Sequence, residues 1–427
     1  MTSLNISFLI LASGTFVWTL WSAAFRCYPT FYQTLMVEFE LKYGDVSWLT
    51  GFVQGGYGLG NLLFPVIYKH VTFRIGVMTS AIVSSAAIFI SSFAVTIWQI
   101  YVCCGLVIGF CLAGTIIGVF TMLPRHFKHN RDVILQIACS GLSMGSFIYC
   151  PLFQILIDGF QWRGALWIIS GIFLQPAVSG ALLGPSPPAA EDEPLKERKC
   201  AQVEQSETPV REVKNGATWR LRLRHLCERW DLVIFLKLEL YLMVFAWFTF
   251  ALSFYSAFPF MIPYGNKIGL TDIQASSLAS AVGFVELGSR VFYSVVMNRI
   301  PQSYRYIFLT ASIAFAGLFF FLLAILKSYA GLMSVSAIIG VLGGGADAVY
   351  SAIMIDLFGV TKYPSVYGYT NVMSYIMGML GTVTLGYVID LCGSETIAIV
   401  IGGCSLLLSS GFVLLINRKI RRKHAEN

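Results

Sequence analysis

The chain has 427 residues, of which 56% are hydrophobic and only 12% charged, and it carries a formal net charge of +7. A soluble domain is about a quarter charged and about 45–50% apolar, so composition excludes an ordinary soluble protein and reads as a polytopic membrane protein. The positive excess sits in short segments between apolar runs, where it reports topology and requires no nucleic-acid or other polyanionic partner.

Crossing about 30 Å of hydrocarbon takes about 20 helical residues. Twelve such stretches are predicted, starting near Ile6, Val46, Phe73, Trp98, Asp132, Gly164, Leu232, Asp272, Tyr306, Ala330, Pro364 and Thr396. The expected fold class is therefore all-α, with twelve transmembrane helices in two six-helix bundles over residues 1–184 and 231–417. Residues 185–230 form the linker between them, and 418–427 a basic tail.

The amino terminus has no basic n-region and no small-residue cleavage site before the chain turns polar, so residues 6–29 read as a retained first helix. Arg26 and Pro29 lie late in it, with Thr30 directly after the proline. Arg26 either faces a central pocket, on the same face as Thr30, or snorkels to the interface. Glycines four apart, such as Gly56/Gly60, Gly105/Gly109 and Gly141/Gly145, are set for close helix packing. Most of the ten cysteines fall within spans or at their edges and read as small packing residues, with no disulfide framework.

After Gly184-Pro-Ser-Pro-Pro188, the linker holds nine basic and eight acidic residues and no apolar run, which predicts disorder. At its end, Trp219, Leu223, Leu226 and Trp230 recur at helical spacing among arginines, the pattern either of an interfacial helix or of a plain basic juxtamembrane segment. Lys237 and Glu239 open the seventh span, where snorkelling accounts for them. Pro259 stands late in that span as Pro29 does in the first; matching interrupted helices in two halves point to a transporter's central site.

The eighth span contains Glu286 and Arg290 at i, i+4, hence on one helix face. A charge near the bilayer centre costs about 2.5–3.5 kcal/mol on the mildest scale, so this face meets protein or a watery cavity. Two readings stay open: a pair that only locks helices together, and a site for an anionic substrate. Gly343-Gly-Gly345 in the tenth span predicts a bend, since each glycine weakens a helix by about 1 kcal/mol relative to alanine. Asp347 follows it as either pocket residue or helix glue, and Asp356, in sequence near Lys362, fits a gating or structural pair.

Placing both termini in the cytoplasm puts 22 Lys and Arg residues inside and four outside, in keeping with the positive-inside rule. The five histidines all lie in basic inner segments, none sharing a span with a carboxylate at metal-ligand spacing, and no phosphate loop or nucleophile elbow is present. The chain reads as neither an enzyme nor a cofactor protein.

Four passages carry a family resemblance: Tyr28-Pro29 with Val46-Ser-Trp48; Pro124-Arg-His-Phe-Lys-His-Asn-Arg131 leading into Gly141-Leu-Ser-Met-Gly145; Trp162-Arg163-Gly164; and Phe284-Val-Glu-Leu-Gly-Ser-Arg290. In order and spacing the chain resembles the monocarboxylate transporter family of the major facilitator superfamily, from about Phe25 to Asn417 without the linker. The resemblance implies a plasma-membrane rocker-switch carrier for small carboxylates, often proton-coupled, sometimes travelling with a single-span immunoglobulin-like accessory protein. It places the family's acidic–arginine pair on Glu286 and Arg290, where a guanidinium's planar fork suits a carboxylate. The family's lysine after the first-helix proline is Thr30 here, and its acidic, glycine-rich entry to helix one is missing around Ser13-Gly-Thr-Phe-Val-Trp18.

The expected substrate-binding set is Arg290, Glu286, Arg26, Thr30 and Asp347, with Pro29, Pro259, Arg131, Arg163 and Asp356 in gating or structural roles. In the expected mechanism an incoming carboxylate competes for Arg290, and Glu286, losing its partner, takes up a proton. The alternatives are a facilitative uniporter for an amino acid or a creatine- or carnitine-like metabolite, and a non-transporting metabolite sensor.

Overall fold

The computed structural model describes residues 3–126, 134, 137–182, 238–358 and 363–426. The linker, the proposed interfacial helix at 219–230, Arg131, Lys237 and Lys362 lie outside the described residues. Twelve helical rods follow one another: α1 (3–38), α2 (Tyr43–Ile67), α3 (Phe73–Ser91), α4 (97–126), α5 (141–160), α6 (162–182), α7 (Leu238–Lys267), α8 (Asp272–Arg299), α9 (Gln302–Ile325), α10 (329–358), α11 (Tyr363–Cys392) and α12 (Thr396–Glu426). The corner between α5 and α6 falls at Gln161, whose φ of 57° breaks an otherwise continuous helix.

Seven described stretches are long and apolar enough to cross a bilayer, one of them, Ile137–Ala181, covering both α5 and α6. The molecule is a multi-pass membrane protein. Rods α2 and α8 are not among the seven. Glycines, serines and Gln54 dilute the first, and Glu286 and Arg290 interrupt the second. These are helices that face protein on their polar side, as intramembrane polar residues must.

Both predicted helix interruptions form, and they match. In α1 the α-helix Ser3–Ser22 widens into a π segment, Ala23–Cys27, tightens into a 3-10 turn, Tyr28–Phe31, and resumes at Tyr32. In α7 the order repeats: α over Leu238–Ala251, π over Leu252–Ala257, 3-10 over Phe258–Phe260, then α from Met261. The cause is the same in each, because a proline has no N–H to give its ladder and its ring crowds the carbonyl four residues back. A third π segment, Tyr101–Val107 in α4, has no proline and no warning in the sequence.

Rod α10 breaks where the glycine triplet predicts, with one helix ending at Gly344 and the next starting at Ala346. Packing follows the small residues. Side chains at Gly141 and Gly145 on α5 would run into the backbone of α1 at Thr15 and Thr19. Their absence lets the two helices touch at backbone distance, the main attraction open to helices in lipid. Across the two halves of the chain, α2 packs along α11 and α5 along α8, with the broken rods α1 and α7 between them. The eight described cysteines are all free.

Candidate functional site

The π segment of α1 carries Arg26 into the protein interior, where it is 5% exposed, so it does not snorkel to an interface. On α8, Glu286 and Arg290 stand one turn apart, 3% and 6% exposed. Arg26 donates from Nη1 to Glu286 Oε2 at 2.5 Å and from Nη2 to Oε1 at 3.3 Å, and Arg290 Nη2 donates to Oε1 at 2.8 Å. One carboxylate thus holds two guanidinium groups from opposite halves of the chain. At formal charges the cluster is +1. Phe258, in the 3-10 turn of α7, places its ring 5.5 Å from the Arg26 guanidinium carbon, adding a cation–π contact.

Rod α10 seats the carboxylate. Gly344 lies against the Glu286 side chain and Ser289, leaving no room for a methyl group. Ser289 donates to the Gly340 carbonyl at 3.3 Å, which ties α8 to α10 beside the pair. The glycine triplet therefore both bends the helix and lets it approach the charge cluster.

Arg290 borders a cavity of about 100 Å³ together with Trp18, Trp21, Trp247, Tyr255 and Tyr375. Its rings connect to neighbouring ones: Trp21 stacks on Phe25 at 4.1 Å, Tyr57 meets Tyr375 at 4.6 Å, and Tyr255 lies parallel to Tyr375 at 5.8 Å. Two larger hollows, about 380 and 500 Å³, lie between α2, α3 and α4 and beside Trp98, and no charged side chain lines either. They are apolar perimeter features, whereas the central cavity joins fixed charge to aromatic faces.

A family model described as Major Facilitator Superfamily matches residues 6–382, from the first rod to the eleventh. The chain belongs to the Major Facilitator Superfamily. It is 25% identical over 417 residues to Monocarboxylate transporter 12 of Homo sapiens, covering 96% of this chain and 81% of that protein. It is 22% identical over 411 residues to Monocarboxylate transporter 2 of Homo sapiens (96% and 85%), and 24% identical over 415 residues to Monocarboxylate transporter 13 of Bos taurus (96% and 88%). It is a Major Facilitator Superfamily transporter with monocarboxylate transporter relatives, and not an enzyme.

Within this Major Facilitator Superfamily chain the other residues singled out from sequence scatter. Thr30 is buried, but its hydroxyl donates to the Cys27 carbonyl of its own helix at 2.6 Å and makes no described contact with the charge cluster. Arg163 works within the first half, donating to the Ser92 carbonyl at 3.1 Å, pairing with Glu38 at 3.4 Å and lying over Trp162. Asp356 pairs with Arg305 of α9 at 3.0 Å, a partner the sequence reading did not name. Glu239 pairs with Lys419 at 3.2 Å. Asp347 is the second residue of the helix after the break, and its side chain lies outside the described ones. Pro29 and Pro259 mark the two breaks.

Sequence reasoning missed the Arg26–Glu286 bridge, the aromatic cluster and Gln54. Fully buried on α2, Gln54 donates from Nε2 to the Tyr255 carbonyl at 3.0 Å and to Thr382 at 3.2 Å. A signal for the first existed, since Arg26 is a span cation with no carboxylate one turn away on its own helix and so needs a partner from another.

Proposed function

We propose that this protein is a secondary transporter that moves a small monocarboxylate across the plasma membrane by alternating access, with Arg290 as the cargo's anchor. The observation that carries this reading is the charge cluster. Arg26 already satisfies Glu286 through two hydrogen bonds, so Arg290, which borders the cavity, can turn its fork to an incoming carboxylate without stranding a buried anion. Arg26, Glu286, Arg290 and the cargo then pair two cations with two anions. Because Glu286 keeps Arg26 as its partner when Arg290 turns to the cargo, it need not take up a proton; this favours carboxylate movement without obligatory proton coupling, and the absence of the family's lysine at Thr30 agrees with that.

The halves α1–α6 and α7–α12 are the two bodies that rock in this scheme. The broken rods α1 and α7 lie between them, and the Arg26–Glu286 bridge breaks or reforms as they move. The basic-residue bias supports cytoplasmic termini. The plasma-membrane setting and a single-span immunoglobulin-like partner rest on the resemblance to monocarboxylate transporters.

A second reading, transport of a zwitterion such as an amino acid or a creatine- or carnitine-like compound, draws support from the aromatic lining. Trp21, Trp247 and Tyr255 offer ring faces to a cationic end while Arg290 takes the carboxylate. The deciding experiment is uptake into proteoliposomes of lactate, pyruvate, creatine, carnitine and aromatic amino acids at acidic and neutral pH, with Arg290→Gln as control. Saturable carboxylate uptake that Arg290→Gln abolishes supports the first reading. Equal uptake by the variant sinks both, and binding without flux identifies a sensor.

A further inference from the structure

At the end of the molecule away from both chain termini, α2 begins at Tyr43 with Lys42 in the position that normally caps a helix. A lysine side chain has only donors, so it cannot satisfy the first-turn N–H groups. Asp390, near the end of α11 in the other half of the chain, does so. Its carboxylate accepts from the Tyr43 N–H at 2.9 Å and from the Gly44 N–H at 2.6 Å.

The corresponding junction between α5 and α8 is built differently. The chain repeats an Ile-Asp pair near the end of the fifth rod of each half, Ile157-Asp158 and Ile389-Asp390. Asp158, however, accepts from Gln154 one turn back on its own helix at 2.8 Å. The α8 start has its own cap, with Thr271 and Gln274 exchanging hydrogen bonds at 3.1 and 3.3 Å. Among the described residues, only the α2 start takes a side-chain cap from the opposite half.

Along the same seam, the Tyr387 ring covers Gly44, Gly386 faces Ser47, and Gln54 reaches Thr382. The two antiparallel rods therefore touch from the Asp390 end down to the level of the cavity, and the seam between them is closed.

We propose that Asp390 is a conformation-dependent cap, a positioning residue that holds this end of the transporter closed. When the end opens, α11 must withdraw from α2 and the helix start loses the two hydrogen bonds that Asp390 accepts, keeping Asp45's 3.4 Å contact with the Lys42 N–H. The cap thus biases the carrier toward the state closed at this end, and by an amount that a cap supplied from within α2 would cancel.

The test uses the full-length protein in detergent, carrying Ser47→Cys as a reporter and Cys392→Ser to remove the nearby exposed thiol. Maleimide labelling at position 47 is read by peptide mass. Asp390→Ala is expected to speed labelling about fivefold, the value of a typical helix cap. Lys42→Ser, which gives α2 its own acceptor while leaving Asp390 in place, is expected to act in the same direction, and Asp158→Ala to leave the rate alone. Should Asp390→Ala fail to fold, Lys42→Ser decides. Labelling unchanged by Lys42→Ser and by any folded Asp390→Ala protein overturns the proposal, as does an equal acceleration by Asp158→Ala.

Discussion

Arg26 and Glu286, 260 residues apart in the chain, are joined by two hydrogen bonds of 2.5 and 3.3 Å in the interior of the molecule. The bridge spans the two halves and leaves Arg290 as the guanidinium that faces the cavity. Both side chains are almost fully buried, so the pair is held by mutual charge with little help from water. Breaking such a pair by removing one partner costs far more than replacing both.

Glu286→Gln should therefore destabilise the protein strongly, because it removes the anion that two buried guanidinium groups share. A loss of about 3–5 kcal/mol is expected, read as a lower unfolding temperature or denaturant midpoint in detergent. The double variant Arg26→Gln/Glu286→Gln should recover part of that loss, since one cation and one anion disappear together. A double variant no more stable than Glu286→Gln would show that the bridge is not the source of the effect.

Arg26→Gln separates cargo binding from fold. With Arg26 gone, Glu286 has only Arg290 as described ion-pair partner, and a cargo carboxylate must compete with it for the same fork. The expected outcome is a rise in the KM for carboxylate uptake of about tenfold, roughly 1.4 kcal/mol of lost binding, with a smaller change in maximal rate. Arg290→Lys should be worse in both, because an ammonium cannot hold a carboxylate through two parallel bonds. An Arg26→Gln transporter with unaltered KM would mean that Arg26 does not tune Arg290.

The twelve rods and both helix breaks were legible because they rest on local chemistry, the length of apolar runs and two prolines that cannot donate. The pairing of Glu286 with Arg290 was legible for the same reason, as i, i+4 neighbours on one helix. Arg26–Glu286, Gln54–Thr382 and Asp390 at the α2 start were not. Each joins residues hundreds of positions apart, and single-chain spacing carries no information about which helix faces which. Asp356 has a described partner, Arg305 on the adjoining rod, that spacing along the chain does not indicate; Lys362 lies outside the described residues. Nor does spacing along the chain announce that Trp21, Tyr255 and Tyr375, from three different rods, converge on the central cavity.

Gly344→Ala tests whether close approach at the α10 break matters for function. Alanine favours a helix by about 1 kcal/mol over glycine, so in open space the change would stabilise. Here its methyl group meets Glu286 and Ser289 and must push α10 away from the charge cluster. Transport is expected to fall at least about tenfold, with stability lowered by about 1–3 kcal/mol as for an overpacked core. Gly288→Ala on α8 is the control, since nothing lies within 4 Å of a side chain there. Wild-type flux in Gly344→Ala would show that the glycine contributes only flexibility.

The charge that travels with the cargo sets the electrical signature of transport. Glu286 keeps Arg26 as its partner when Arg290 turns to a monocarboxylate, so it need not bind a proton. If no proton accompanies the cargo, each cycle moves one net negative charge across the membrane, and a potential of 100 mV is worth about 2.3 kcal/mol per charge. At equilibrium the carboxylate should then distribute about 50-fold toward the positive side at that potential. Proteoliposomes clamped with a potassium gradient and valinomycin measure this directly. The expected result is cargo accumulation that follows the potential and is the same with or without a pH gradient. Accumulation that ignores the potential and follows the pH gradient would instead assign one proton to each carboxylate, placing it on Glu286 as Arg290 turns to the cargo.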